Sequence, residues 1–148
     1  MYKHILIPTD GSTTARKAVD GGIEFAREAG ARVTLFTAMP EYQPPGEAQL
    51  MSRQKVISIA EYEKRSRNKA GAILDKAAGA ARKAGVAVAT DFAFSNHPWQ
   101  AIIDAAQRHA CDVIFIGSHG RKGLAALWYG SETEEVLTHT DIPTLVYR

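Results

Sequence analysis

One cysteine, Cys111, stands in 148 residues. An internal disulfide is therefore impossible, no Cys-x-x-Cys pair or Cys/His spacing marks a structural zinc, and a reducing compartment is the expectation. Aromatic residues make up only 8% of the chain and are not interleaved with basic stripes, which argues against a nucleic-acid partner. Charge is equally unpolarised: 18 basic and 16 acidic residues give a net +2, with no block of like charges to form a tail. No apolar run approaches the ~18 residues that a membrane helix needs. The start, Met1-Tyr2-Lys3-His4-Ile5, enters an apolar run directly, without the zones of a signal peptide. These absences lead to a cytoplasmic protein with neither a nucleic-acid nor a membrane partner.

What is present suits one compact domain spanning 1–148, with 45% apolar and 23% charged residues. Five short runs rich in β-branched residues, 4–8, 32–38, 86–94, 112–117 and 143–147, read as strands. Their near-continuous hydrophobicity, as in Ile5-Leu6-Ile7 and Val113-Ile114-Phe115-Ile116, suits strands buried on both faces of a parallel sheet. Helices are expected between them. Ala15, Ala18, Val19, Gly22, Ala26 and Ala29 form one small-residue face, capped by Ser12 or Thr13 and closed by Gly30. Residues 39–54 carry Pro40, Pro44, Pro45 and Gly46 and predict an irregular loop. Ile59, Tyr62, Ala70, Ile73, Ala77 and Ala81 then keep helical spacing up to Gly85. Pro98 opens a third helix with Trp99, Ile102, Ile103 and Ala106 on its apolar stripe, and a fourth runs over 131–138. The order predicts an α/β fold: an open, doubly wound, five-stranded parallel sheet with helices on both faces and right-handed crossovers.

Ligands of such sheets collect beyond the carboxyl ends of the strands, where strand order reverses. Two segments fall there: Pro8-Thr9-Asp10-Gly11-Ser12, and the loop from Gly117 to Ser131. The second contains Gly117, Gly120, Gly123 and Gly130, which let backbone amides approach an anion closely, and Ser131 opens a helix whose first amides favour phosphate. Neither a Walker A loop nor a Gly-x-Gly-x-x-Gly fingerprint is present. Ser131 and Glu134 also have the spacing of a capping box. His119 lacks a sequence-local carboxylate partner and reads as structural, Cys111 as buried and inert, and Trp99 and Trp128 as packing or interface residues. Asn96, the residue that best tolerates a left-handed backbone after glycine, is compatible with a turn over 96–98.

The spacing Gly117-x-x-Gly120, nine residues, Gly130-Ser131 resembles the ATP-binding signature of universal stress proteins, and Gly117-Ser118-His119-Gly120-Arg121, Pro8-Thr9-Asp10-Gly11-Ser12 and the terminal Ile142-Pro143-Thr144-Leu145-Val146-Tyr147-Arg148 look like that family's wording. The resemblance covers essentially the whole chain. It implies a Rossmann-like, adenine nucleotide alpha hydrolase-like fold, with Pro8, Thr9, Asp10 and Ala38 around adenine and ribose, and Ile116 and Gly117 as a wall. Gly120, Gly130, Ser131 and Thr133 would hold phosphates, and Asp10 would act through a nucleotide-bound magnesium; apart from the resemblance, Arg121 and Lys122 read either as phosphate clamps or as solvated surface residues. Glu132, at the same helix start, departs from the family's small or apolar residue and sets a carboxylate beside the phosphates. The implied ligand is ATP, ADP or AMP, and the implied assembly a homodimer through the edge strand 143–147. No nucleophile, base or metal cage stands out, so a nucleotide-binding stress-response regulator is expected rather than an enzyme. A slow metal-dependent ATP hydrolase and a ligand-free dimeric adaptor are the alternatives.

Overall fold

The computed structural model describes residues 1–118 and 131–148. Five parallel strands, β1 (His4–Pro8), β2 (Arg32–Met39), β3 (Val88–Phe94), β4 (Val113–Gly117) and β5 (Thr144–Tyr147), form one sheet in the order β3-β2-β1-β4-β5. β1 and β4 are buried along their whole length, as continuous apolar strands between two helical layers must be. β3 and β5 differ from the expectation of two-sided burial. Both are edge strands and only partly covered, which is why β3 accommodates Thr90 and Asp91.

Helices α1 (Thr13–Ala29) and α3 (Ile59–Lys83) cover one face. Their apolar residues, Val19, Ile23, Leu74 and Ala78 among them, join Ile5, Ile7, Val33 and Leu35 in one core. α4 (Pro98–Arg108) and α5 (Ser131–His139) cover the other, where Ile102 and Val136 pack with Leu6, Phe36, Ile114 and Ile116. The sheet is therefore doubly wound. α1 begins where the Ser12 hydroxyl accepts the Ala15 amide and ends at Gly30, whose φ of 63° closes the helix. It lies so close to the sheet that a Cβ on Gly22 would stand 2.6 Å from Ile7 Cδ1.

Several boundaries and faces shift. The 39–54 stretch contains α2 (Glu47–Met51), one short helical turn begun at Gly46 and burying nothing. On α3 the buried row is Ser66, Ala70, Leu74, Ala78 and Ala81; Ile59 is exposed and Ile73 and Ala77 are half-covered. An alanine-rich helix carries too little contrast to fix its face, and Ile73 and Ala77 turn toward α1. Asn96 is not left-handed: the only described non-glycine residue with positive φ is Ala110. Its amide instead clamps Glu41, accepting from the Glu41 N–H at 3.0 Å and donating to its carboxylate at 3.1 Å.

The amino-terminal end of the sheet buries His4, whose Nε2 lies 2.7 Å from Thr34 Oγ1. The Asp112 carboxylate accepts the Lys3 and His4 amides at 2.8 and 3.2 Å. Burial, then the Arg32 and His109 charges, lower the His4 pKa below 6.5 against the opposing pull of Asp112. Cys111, also buried, has its thiol pushed up to about 11 by burial and by Asp112, so it is a packing residue rather than a nucleophile.

A depressed imidazole pKa means the unfolded chain binds the proton more readily. His4 therefore contributes its full stability above the unfolded value of 6.5 and loses it as pH falls through that value toward the lower folded one. Denaturant midpoints measured from about pH 7.5 down to about pH 5.5 will fall, and will fall less steeply for His4→Gln. Identical slopes would contradict this.

Candidate functional site at the carboxyl edge

β1 and β4 are neighbours, yet the chain leaves β1 for α1 on one face and leaves β4 toward α5 on the other. The strand order thus reverses between Pro8 and Gly117, with the 8–12 turn after β1 and Gly117 and Ser118 at the end of β4.

The β1 turn is held by its own short side chains. Thr9 N–H donates to the Phe36 carbonyl at 2.8 Å, tying the turn to β2. Thr9 Oγ1 accepts the Gly11 amide at 3.2 Å, and Asp10 Oδ1 accepts the Ser12 amide at 2.9 Å. Asp10 therefore shapes the turn while Ser12 caps α1. Gly11 has a φ of 78°, and a Cβ there would stand 2.9 Å from Ile73 Cγ1, so only glycine suits that position.

Opposite it, the first turn of α5 is fastened to the end of β4. Buried Thr133 donates through Oγ1 to the Gly117 carbonyl at 3.1 Å, and Ser118 N–H donates to Tyr147 O at 2.7 Å. Ser131 is the first described residue of α5. Glu132 turns away along α4: its Oε2 accepts the Trp99 amide at 2.7 Å. α4 has no cap from His97, so Glu132 satisfies one of its orphan amides from a neighbouring helix. The Trp99 ring stacks on His139 with centroids 4.5 Å apart, fixing α4 against α5.

Strand alternation sorts the expected residues. Ala38 and Ile116 belong to the core beneath α4 and α5, whereas Thr9 continues the Ile5 and Ile7 side and lines a groove between α1 and α3. Pro8, Asp10, Gly117, Ser131, Glu132 and Thr133 border the switch point through the turns just described. Gly120, Arg121 and Gly130, with His119 and Trp128, lie outside the described residues. Among the described residues no group of three His, Cys, Asp or Glu is placed to hold a metal ion. Sequence reasoning did not foresee the Thr133–Gly117 bond or the Glu132 cap. A Pro98 helix start without a Ser, Thr, Asp or Asn before it was the available signal for a cap supplied from elsewhere.

Glu132→Ala will cost about 1–2 kcal/mol by leaving the Trp99 amide unpaired, and Thr133→Val about 1 kcal/mol by removing the bond to Gly117. Guanidinium unfolding of both variants measures these losses, and wild-type stability in either would show that its bond contributes nothing.

A model described as the universal stress protein family matches residues 1–148. Universal stress protein MJ0531 of Methanocaldococcus jannaschii is 29% identical over 148 residues, covering 100% of this chain and 83% of its own. The crystal structure of a universal stress protein family member from Burkholderia pseudomallei superposes with a TM-score of 0.76 at 25% identity, over 98% of this chain and 95% of that one. A universal stress protein solved in complex with cAMP matches in fold with a TM-score of 0.72 at 22% identity, over 99% and 97% of the two chains. Matched from end to end by the family model and in fold by solved members, the chain belongs to the universal stress protein family.

Proposed function

We propose that this protein binds an adenine nucleotide, AMP, ADP or ATP, at the β1/β4 switch point, and that occupancy changes its conformation or partners in a cytoplasmic stress response. One observation carries the reading: the first turn of α5 is fixed by Thr133 to the end of β4, directly beside the β1 turn. Helix-start amides in such a crevice attract phosphate. The family membership and the cAMP complex of a structural neighbour support it.

In this reading Pro8, Asp10 and Ala38 border the adenine and ribose, with the Thr9 backbone beside them, and Ile116 and Gly117 form a wall. Gly120, Arg121, Gly130, Ser131 and Thr133 hold the phosphates. Glu132 had been the obstacle, since a carboxylate beside phosphate repels it. Its bond to the Trp99 amide draws that charge toward α4. Asp10 would be the residue to hold a magnesium ion, which would supply positive charge to offset that of the phosphates.

Heat-denatured protein, assayed by chromatography for released adenine nucleotide, will yield it from wild type and far less from Gly130→Val, whose added bulk blocks phosphate approach. Equal yields from both would remove the loop from the site.

We also infer a homodimer through β5, which pairs with β4 on one side and leaves its other edge unpaired among the described residues. Thr144→Lys with Tyr147→Asp, checked for an unchanged circular dichroism spectrum, will run as a monomer in light scattering. A persistent dimer would place the interface elsewhere.

A further inference from the structure

The face opposite the proposed nucleotide site carries a cavity that the proposed function does not use. Between α1 and α3 lies a groove of about 280 Å³, just under the ~300 Å³ at which pockets for drug-sized ligands begin. Its origin is compositional. Where α3 meets α1 it presents Ala72, Ala77 and Ala80, and side chains this small leave a gap that larger ones would fill.

The walls are apolar, Val19 on α1 and Ile73 with the alanines on α3, and polar residues complete the lining. Thr9, one of them, is 2% exposed; its Oγ1 accepts the Gly11 amide, which leaves the hydroxyl proton to donate. Arg16 and Lys76 stand at the rim, and neither forms an ion pair among the described residues, while Asp20 supplies the one negative charge. Two cations against one anion favour a singly charged anionic head, and the alanine walls favour an unbranched apolar body.

We propose that the α1–α3 groove is a second ligand site, for a small amphipathic carboxylate of medium chain length, with its head at Thr9, Arg16 and Lys76 and its tail along Ala77 and Ala80. An adenine nucleotide does not suit it, because the groove is small and apolar and has few partners for a base. The sheet separates it from the core that holds Ala38 and Ile116. Ile73 touches both the groove and Gly11, the residue after Asp10. Resting on the proposed nucleotide site, this contact couples the two ligands through the β1 turn.

The test uses full-length protein and decanoate, titrated calorimetrically without nucleotide. Saturable single-site binding is expected, weakened at least ~10-fold by Arg16→Gln with Lys76→Gln, whose exposed side chains are not needed for folding. Decanol should bind at least ~10-fold more weakly than decanoate, and Ala77→Phe should abolish binding by filling the groove. Absence of saturation at millimolar decanoate, equal binding by the charge variant, or equal affinity for decanol would each overturn the proposal. Gly130→Val should bind decanoate normally, so loss of nucleotide binding and loss of this site are read separately.

Discussion

Two parallel strands that lie side by side but send their chains to opposite faces must leave a crevice at their carboxyl ends. In this protein those strands are β1 and β4. The geometry follows from the sheet order, and the order from burial: Ile5-Leu6-Ile7 and Val113-Ile114-Phe115-Ile116 are apolar on both sides and so need helices on both. What the sequence adds locally is stiffness at the crevice walls. Thr9, Asp10 and Ser12 bind the β1 turn to itself, and Thr133 binds α5 to β4. Walls fixed in this way lower the ordering cost of binding a ligand between them.

The same alternation that builds the core separates two chemistries. Residues following the Leu6 parity look toward α4 and α5, where Ala38 and Ile116 already lie; Thr9 follows Ile5 and Ile7 to the α1–α3 side. One turn of five residues therefore borders both the switch-point crevice and the groove. Gly11 joins them physically, pressed against Ile73 in a backbone conformation that other residues rarely adopt.

The central strands, the helix order and the Gly30 stop were legible because they rest on strong local signals: runs of β-branched residues and a left-handed helix terminus. Less legible were features decided by neighbours far along the chain. The face of α3 is hard to read over its second half, where alanines on several sides erase periodic contrast, while Ile59, the first residue of the helix, stays exposed. Asn96 was assigned a backbone role, yet its amide bonds Glu41, 55 residues away. Glu132 read as a charge beside phosphate, and only its bond to the Trp99 amide, 33 residues distant, reveals it as a helix cap. The location proposed for the site is read from strand order and glycine spacing, whereas the side-chain geometry around it depends on pairings between helices that no local pattern encodes.

Adenine nucleotide is proposed to bind at the carboxyl edge on the α4/α5 side of the sheet. Amide hydrogen exchange with and without saturating AMP tests it most directly. Slowed exchange is predicted at the turn after β1, at the end of β2 and in the first turn of α5. Unchanged exchange in all three, or protection confined to α1 and α3, would contradict it.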